Sequence, residues 1–128
     1  IDIMAANLIN RSIRSDFEVF ILPNLYGDII TDEAAQIQGG VGTAGSANIG
    51  SEYAMFEAVH GSAPFLIEMG IAEYANPTSI FTAVCMMLTH IGYTEKADHL
   101  RSALEKAIRV KPDEIKASVF TDIVLENM

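Results

Sequence analysis

Only two short stretches of this chain have the residue pattern of β-strands, and this limits the possible folds more than any other feature. Residues 18–22 and 54–59 are short, largely apolar runs bounded by turn-forming residues. The rest of the 128 residues has helical or loop character. Because two strands are too few to form an independently stable sheet, we predict an α/β piece of a larger sheet rather than a complete domain.

Apolar spacing and helix-boundary residues predict five helices. The third has an almost continuous apolar stretch, which is typical of a helix buried on all sides. The fourth has Thr94 as its cap and one apolar stripe made of Ala97, Leu100, Leu104, Ala107 and Ile108. The predicted helices cover residues 3–11, 28–38, 78–91, 94–111 and 120–128.

Charge and composition exclude several classes of protein. The chain has 8 Lys and Arg against 17 Asp and Glu, a formal charge of −9, which argues against a nucleic-acid partner. No apolar run is long enough to span a membrane, and the N-terminal residues do not resemble a secretion signal. We therefore expect no membrane partner, no secretion, and an incomplete chain that lacks upstream residues.

The one cysteine of the chain, Cys85, is interpreted as a small buried apolar residue rather than a nucleophile.

The positive charges are unevenly distributed, because no Lys or Arg lies between Arg14 and Lys96. The many carboxylates in this interval have no cation near them in the sequence. Most of them are explained by a solvated acidic surface. A few could instead bind a metal ion, or pair with Arg and Lys from another chain or a missing segment.

A glycine-rich segment at residues 39–51 contains Gly40, Gly42 and Gly45 in the spacing G-x-G-x-x-G. A dinucleotide-binding site of the Rossmann type needs a strand before this motif and a helix after it. Here a predicted helix precedes the motif and a loop is expected to continue after it. We therefore reject a Rossmann site and expect a loop that turns tightly or approaches another segment closely.

Two aspartates lie four residues apart at the start of the second predicted helix. Asp28 and Asp32 therefore project from the same helical face. One interpretation is that they only interact favourably with the helix dipole. The other is that they bind a hard divalent cation such as Mg²⁺ or Mn²⁺, which prefers oxygen ligands.

Two further candidates are a loop after the second strand and an asparagine before a proline. His60 is followed by the small residues Gly61, Ser62 and Ala63, a pattern that can lay backbone N–H groups and an imidazole against a ligand. A lone histidine is more often structural. Asn76 could equally be a helix cap.

Together, these stretches resemble the C-terminal part of the β-decarboxylating dehydrogenases, the family of isocitrate, 3-isopropylmalate, homoisocitrate and tartrate dehydrogenases. The resemblance covers essentially the whole chain, and its specificity comes from the order of the motifs. Two of them, Ser-Ala-Asn-Ile-Gly and Val-Leu-Glu-Asn-Met, favour the isocitrate branch. In order, the motifs are Asn-Leu-Tyr-Gly-Asp-x-x-x-Asp, Gly-Ser-Ala-Asn-Ile-Gly, Glu-Tyr-Ala-Met-Phe-Glu-Ala-Val-His-Gly-Ser-Ala-Pro and Asn-Pro-Thr.

The resemblance implies a non-Rossmann fold of the isopropylmalate dehydrogenase type. Residues 1–39 would belong to a small, dimer-forming domain with the metal site, and residues 40–128 to a large cofactor-binding α/β domain. Asp28 and Asp32 match the family's metal ligands, and Asp2 best matches a third ligand that reaches the partner subunit's site. The catalytic Tyr and Lys would lie upstream of this chain. The residues that match the cofactor site are Glu57, His60, Gly61, Ser62, Ala63 and Asn76.

The implied activity is metal-dependent oxidative decarboxylation of isocitrate to 2-oxoglutarate with reduction of NAD or NADP. We expect the enzyme to be a homodimer that acts in the tricarboxylic acid cycle. Its expected location is the cytoplasm or the mitochondrial matrix. The alternatives are a 3-isopropylmalate or homoisocitrate dehydrogenase, or a non-catalytic regulatory subunit of a hetero-oligomeric isocitrate dehydrogenase.

Three departures from the family concern the cofactor site. Phe65 and Leu66 stand where the family has a residue that distinguishes NAD from NADP. The link from Pro64 to Asn76 is about three residues longer than in the family. The segment from residue 110 to residue 120 is shorter than in the family. Since no Lys or Arg is evident for a 2′-phosphate, we predict a weak preference for NAD.

Overall fold

The computed structural model describes residues 2–128, which belong to two compact units. The units run Ile1–Val41 and Gly42–Met128. Whether they belong to the small and large domains implied by the resemblance stays a prediction. None of the helices in residues 2–128 is both long enough and apolar enough to cross a bilayer.

The first unit contains three helices: α1 (Asp2–Ile9), α2 (Arg11–Arg14) and α3 (Asn24–Gln38). The single helix predicted for residues 3–11 is therefore interrupted. The reason is Asn10, which has an extended backbone and whose side chain accepts a hydrogen bond from the Ser12 N–H at 3.1 Å, so that it caps α2. Helix α1 packs against α3, and Leu8 and Ile30 are among the buried side chains of the unit.

The strand predicted for residues 18–22 is wrong. Residues 17–23 form neither helix nor strand, and the side chains of Val19 and Ile21 are 75% and 93% exposed. A strand needs a neighbour to satisfy its backbone N–H and C=O groups. In the part of the chain that the structure describes, the only two strands pair with each other.

Helix α3 begins at Asn24, four residues before the predicted start, because Pro23 supplies the turn into the helix. It ends where predicted. Gly39 has a φ of 130°, and the Gly40 N–H donates to the Ala35 carbonyl at 2.8 Å. A glycine in this position tolerates the positive φ that terminates a helix.

The second unit begins with an antiparallel hairpin of β1 (Gly45–Ile49) and β2 (Ala54–Ala58). Strand β2 confirms the second predicted strand, whereas the prediction of a continuous loop over residues 45–49 is wrong. Residues 45–49 of the glycine-rich segment pair with β2, from Gly45 opposite Ala58 to Ile49 opposite Ala54. This pairing lies outside what local propensity could indicate, because glycine disfavours strands.

The close approach expected for the glycine-rich segment occurs at Gly45. A Cβ atom at this position would lie 2.6 Å from the Ala83 backbone nitrogen on the helix that covers the hairpin. No side chain fits there unless the helix backbone moves. Gly45 is therefore required for packing rather than for a phosphate loop, and the motif lies between a helix and a strand, the reverse of the Rossmann order.

Four α-helices and one 3₁₀ turn complete the second unit. Their bounds agree with the predictions to within about three residues, and a short helix after Ala63 was not predicted. Thr94 is the first residue of its helix rather than its cap. The elements are α4 (Pro64–Glu68), the 3₁₀ turn (Ala72–Tyr74), α5 (Thr78–His90), α6 (Thr94–Val110) and α7 (Ala117–Glu126).

The core of the second unit lies between α5, α6 and α7, and α5 also covers the hairpin. The predicted stripe on α6 is buried except for Ile108, which is 42% exposed and is replaced in the core by Ala103. Helix α5 is not buried on all sides, since Ile80 is 46% exposed. Cys85 is buried in this core, and this burial raises the pKa of its thiol, which supports the structural interpretation.

Candidate metal and cofactor sites

Asp28 and Asp32 lie on one face of α3, one helical turn apart, and both side chains are exposed. Neither carboxylate forms a hydrogen bond or an ion pair with any side chain in residues 2–128. The hydroxyl of Thr31, between them, instead donates to the carbonyls of Gly27 and Asp28 at 2.8 and 3.0 Å. Oxygen donors of this kind are those that a hard divalent cation prefers, and binding of such a cation by Asp28 and Asp32 stays a prediction.

Asp2 lies at the start of α1, where the Ile3 N–H donates to its carboxylate at 2.9 Å. This hydrogen bond to the charged form lowers the pKa of the Asp2 carboxyl. Within residues 2–128 no group of three or more His, Cys, Asp or Glu side chains is arranged to hold a metal ion, so Asp2 does not join Asp28 and Asp32 in this chain. Its assignment toward the partner subunit stays a prediction.

The loop after β2 carries a strained residue. Ala63 has φ 47° and ψ 58°, the left-handed conformation that a residue with a Cβ rarely adopts. This conformation turns the chain into α4, where Pro64 occupies the first helical position. The His60 imidazole is exposed and its Nδ1 donates to the Gly61 carbonyl at 2.9 Å. Gly61 and Ser62 are also exposed.

Glu57 lies on the exposed face of β2, whose alternate residues face α5. Its Oε1 accepts a hydrogen bond from the Asn48 side chain of β1 at 3.0 Å. This diagonal pair across the hairpin fixes the direction of the Glu57 carboxylate while leaving it accessible to a ligand.

Asn76 is held at the start of α5. Its Oδ1 accepts the Thr78 N–H at 3.0 Å, so the capping role considered from the sequence is present. The start of α5 is in turn tied to the glycine-rich segment, because the Ser79 N–H donates to the Gly42 carbonyl at 3.0 Å and the Ser79 hydroxyl donates to the Ala44 carbonyl. Asn76 is therefore on a well-anchored element.

Asn76 also lines a cavity of about 430 Å³ in the second unit, a volume within the range of small-molecule sites. The cavity lies between the 3₁₀ turn with the residues around it and the segment that joins α6 to α7. Four of the residues that line it are apolar: Ile71, Pro77, Ile115 and Phe120. The other five carry polar or charged groups: Tyr74, Asn76, Lys111, Asp113 and Glu114.

Of the six residues matched to the cofactor site, Asn76 is the one that lines this cavity. The sequence analysis did not identify Tyr74 and Lys111 as residues of this cavity. The sequence shows the charged segment Lys-Pro-Asp-Glu after α6. Only the folded chain brings this segment beside Asn76, which lies more than thirty residues earlier in the sequence. Lys111, a cation that the sequence analysis did not consider for a 2′-phosphate, lines this cavity together with Asp113 and Glu114.

Comparison with known proteins decides the family. The family model described as isocitrate/isopropylmalate dehydrogenase matches residues 1–124. The chain belongs to this family. The resemblance proposed from the motifs is thereby confirmed, together with an α/β fold of the isocitrate and isopropylmalate dehydrogenase type.

Individual members of the family include close relatives. The chain is 51% identical over 108 residues to "Isocitrate dehydrogenase [NADP]" of Rickettsia prowazekii, a match that spans 84% of this chain and 21% of that protein. It is 46% identical over 93 residues to "3-isopropylmalate dehydrogenase" of Archaeoglobus fulgidus, a match that spans 73% of this chain and 28% of that protein. The chain thus spans about one fifth of the length of the rickettsial relatives.

A solved structure gives the same family at the level of the fold. The crystal structure of isocitrate dehydrogenase from Methylococcus capsulatus superimposes with a TM-score of 0.86 at 32% identity, over 98% of this chain and 38% of that one.

The similar rickettsial proteins are named as NADP enzymes, so the weak preference for NAD predicted from the sequence has no support from them.

Proposed function

We propose that the protein to which this chain belongs is a metal-dependent isocitrate dehydrogenase that uses NADP. The observation that carries the proposal is the identity of about one half to proteins named "Isocitrate dehydrogenase [NADP]", in a chain that keeps Asp28 and Asp32 side by side and unpaired. The reaction would oxidise the hydroxyl of isocitrate, transfer a hydride to NADP, and release carbon dioxide.

The chemistry of the donor set fits the proposed metal. Two carboxylate oxygens from one helix are hard ligands, which suit Mg²⁺ or Mn²⁺ better than a softer metal. A divalent cation held there would supply Lewis-acid stabilisation of the negative charge that develops on the substrate oxygen. Asp28 and Asp32 would bind and orient the cation, and the partner's copy of Asp2 in a homodimer would contribute a further carboxylate.

The cavity beside Asn76 is proposed as the site of the adenosine end of NADP. Its four apolar lining residues suit an aromatic base, and Asn76 offers an amide to hydrogen-bond it. Lys111 is the one cation among the residues that line the cavity, beside the carboxylates of Asp113 and Glu114, and its ammonium would pair with the 2′-phosphate. His60 and its neighbours would contact the cofactor elsewhere along its length.

The experiment that tests the proposed function is a substrate panel with the intact protein. We expect reduction of NADP with isocitrate, only in the presence of Mg²⁺ or Mn²⁺, at a kcat/KM at least tenfold above that with 3-isopropylmalate or homoisocitrate. A preference for either of these substrates would transfer the assignment to that branch. Inactivity on all three, with the upstream Tyr or Lys absent, would instead support a regulatory subunit.

Replacement of Lys111 by Met tests the cofactor assignment. Because a hydrogen bond to a charged group contributes about 1.5–3 kcal/mol, we expect the KM for NADP to rise roughly 10- to 100-fold while the KM for NAD stays unchanged. Steady-state kinetics with both cofactors measures this. Arg109→Met is the matched control, since Arg109 is an exposed cation two residues away that does not line the cavity. Equal effects on both cofactors would contradict the role given to Lys111.

A further inference from the structure

The cavity beside Asn76 is built from two segments that are far apart in the sequence. One wall comes from residues 71–77 and the other from residues 111–120. The backbone hydrogen bonds of the first wall are local, for example from the Ile71 N–H to the Leu66 carbonyl at 2.9 Å. No backbone hydrogen bond joins the two walls anywhere in residues 2–128. Besides the packing of α5, α6 and α7, contacts between the two walls must therefore involve side chains.

An ion pair and an aromatic contact cross from one wall to the other. The Lys116 ammonium lies 2.8 Å from a Glu73 carboxylate oxygen and 5.9 Å from the centroid of the Tyr74 ring. Glu73 and Tyr74 belong to the 3₁₀ turn, and Tyr74 lines the cavity. Lys116 immediately precedes α7, and its carbonyl accepts the N–H of Phe120, which lines the cavity from the wall of residues 111–120.

We propose that Glu73 and Lys116 are positioning residues for the adenosine end of the cofactor, because with Tyr74 they hold the two walls of the cavity at a fixed separation. We call these three residues the cavity clamp. The proposal rests on the proposed function, since it assumes that NADP occupies this cavity.

The exposure of the clamp determines the size of the expected effect. The side chains of Lys116 and Glu73 are 46% and 53% exposed, so water and salt weaken their attraction. An exposed ion pair contributes little to global stability. Its loss would therefore loosen the cavity without unfolding the unit, and we expect changes of roughly two- to fivefold in cofactor binding.

The test compares Glu73→Gln, Lys116→Met and the exchanged pair Glu73→Lys with Lys116→Glu in the intact protein. We expect each single variant to raise the KM for NADP two- to fivefold, with kcat, the KM for isocitrate and the thermal midpoint unchanged. The exchanged pair should return the KM to within twofold of the unsubstituted value. Adding 0.5 M KCl should reduce the difference between the single variants and the unsubstituted protein, because salt screens an exposed pair.

Asp98→Asn is the matched control. Asp98 and Arg101 form the other ion pair of the second unit in the described residues, at 2.6 Å, with similar exposure but on α6 away from the cavity. We expect no change in the KM for NADP in this variant.

The outcomes separate the clamp from the proposed function. If the unsubstituted protein neither binds NADP nor reduces it with isocitrate, both proposals are overturned. If it does, and the single variants keep the original KM, the clamp alone is overturned. A fall in thermal midpoint together with kcat, without recovery in the exchanged pair, would mean a purely structural role and would also overturn it.

Discussion

Replacing Asp28 by Asn is expected to lower the isocitrate-dependent reduction of NADP by at least about 100-fold in the intact protein. Asparagine keeps the shape of the side chain and one oxygen but removes the negative charge that a divalent cation requires. Asp32→Asn should have a similar effect, because the two carboxylates project from the same face of α3. The loss should appear in kcat/KM at saturating NADP, and excess metal should restore part of it.

A direct measurement of metal binding makes this prediction independent of turnover. Titration with Mn²⁺, followed by its magnetic resonance signal, should give a clearly weaker affinity for Asp28→Asn than for the unsubstituted protein. Glu33→Gln is the control, since it removes a carboxylate from the next position of the same helix, which points in a different direction. Full activity and unchanged Mn²⁺ affinity in Asp28→Asn would exclude the pair as metal ligands.

Truncation of Phe120 to Ala is expected to destabilise the second unit by about 3–5 kcal/mol. The Phe120 side chain is 1% exposed and lies in the core between α6 and α7, with its ring edge toward Phe81 at a centroid separation of 6.4 Å. Removal of the ring leaves a void that joins the cavity it lines, and the surrounding helices can refill it only in part.

Cys85 provides a local readout for this effect, because it is buried in the same core as Phe120. Labelling of its thiol at increasing urea concentration, quantified by mass spectrometry of the labelled peptide, reports the opening of this unit in the intact protein. We expect labelling of the Phe120→Ala protein to begin at a lower urea concentration. Val119→Ala is the control: Val119 is 46% exposed on the same helix, so the change should be within about 0.5 kcal/mol. Equal labelling curves for the two variants would contradict the role of Phe120.

Helices were predicted well where one face of the pattern meets the core of the same unit. On α6, Ala97, Leu100, Leu104 and Ala107 recur at helical spacing and are buried as expected. Glycine and proline also set most helix ends, as Gly39 does for α3. These properties are local, so the sequence contains all the information they need.

Strands were predicted poorly because their formation depends on a partner. Residues 18–22 have strand composition and are not a strand, whereas residues 45–49 contain Gly45 and are one. The difference is that β1 has β2 to pair with and α5 to cover it. Neither the partner nor the covering helix can be inferred from the composition of the segment itself.

The sequence by itself determined the family, the helices, and the adjacency of Asp28 and Asp32. The two aspartates are four positions apart on one helix, and helical geometry places such side chains on the same face. Only the tertiary structure decided what surrounds Asn76. Lys111 and Tyr74 line that cavity because α5, α6 and α7 pack around a shared core, which brings residues 71–77 and 111–120 together. Contacts between segments so far apart in the chain depend on how the helices pack, and no local pattern encodes them.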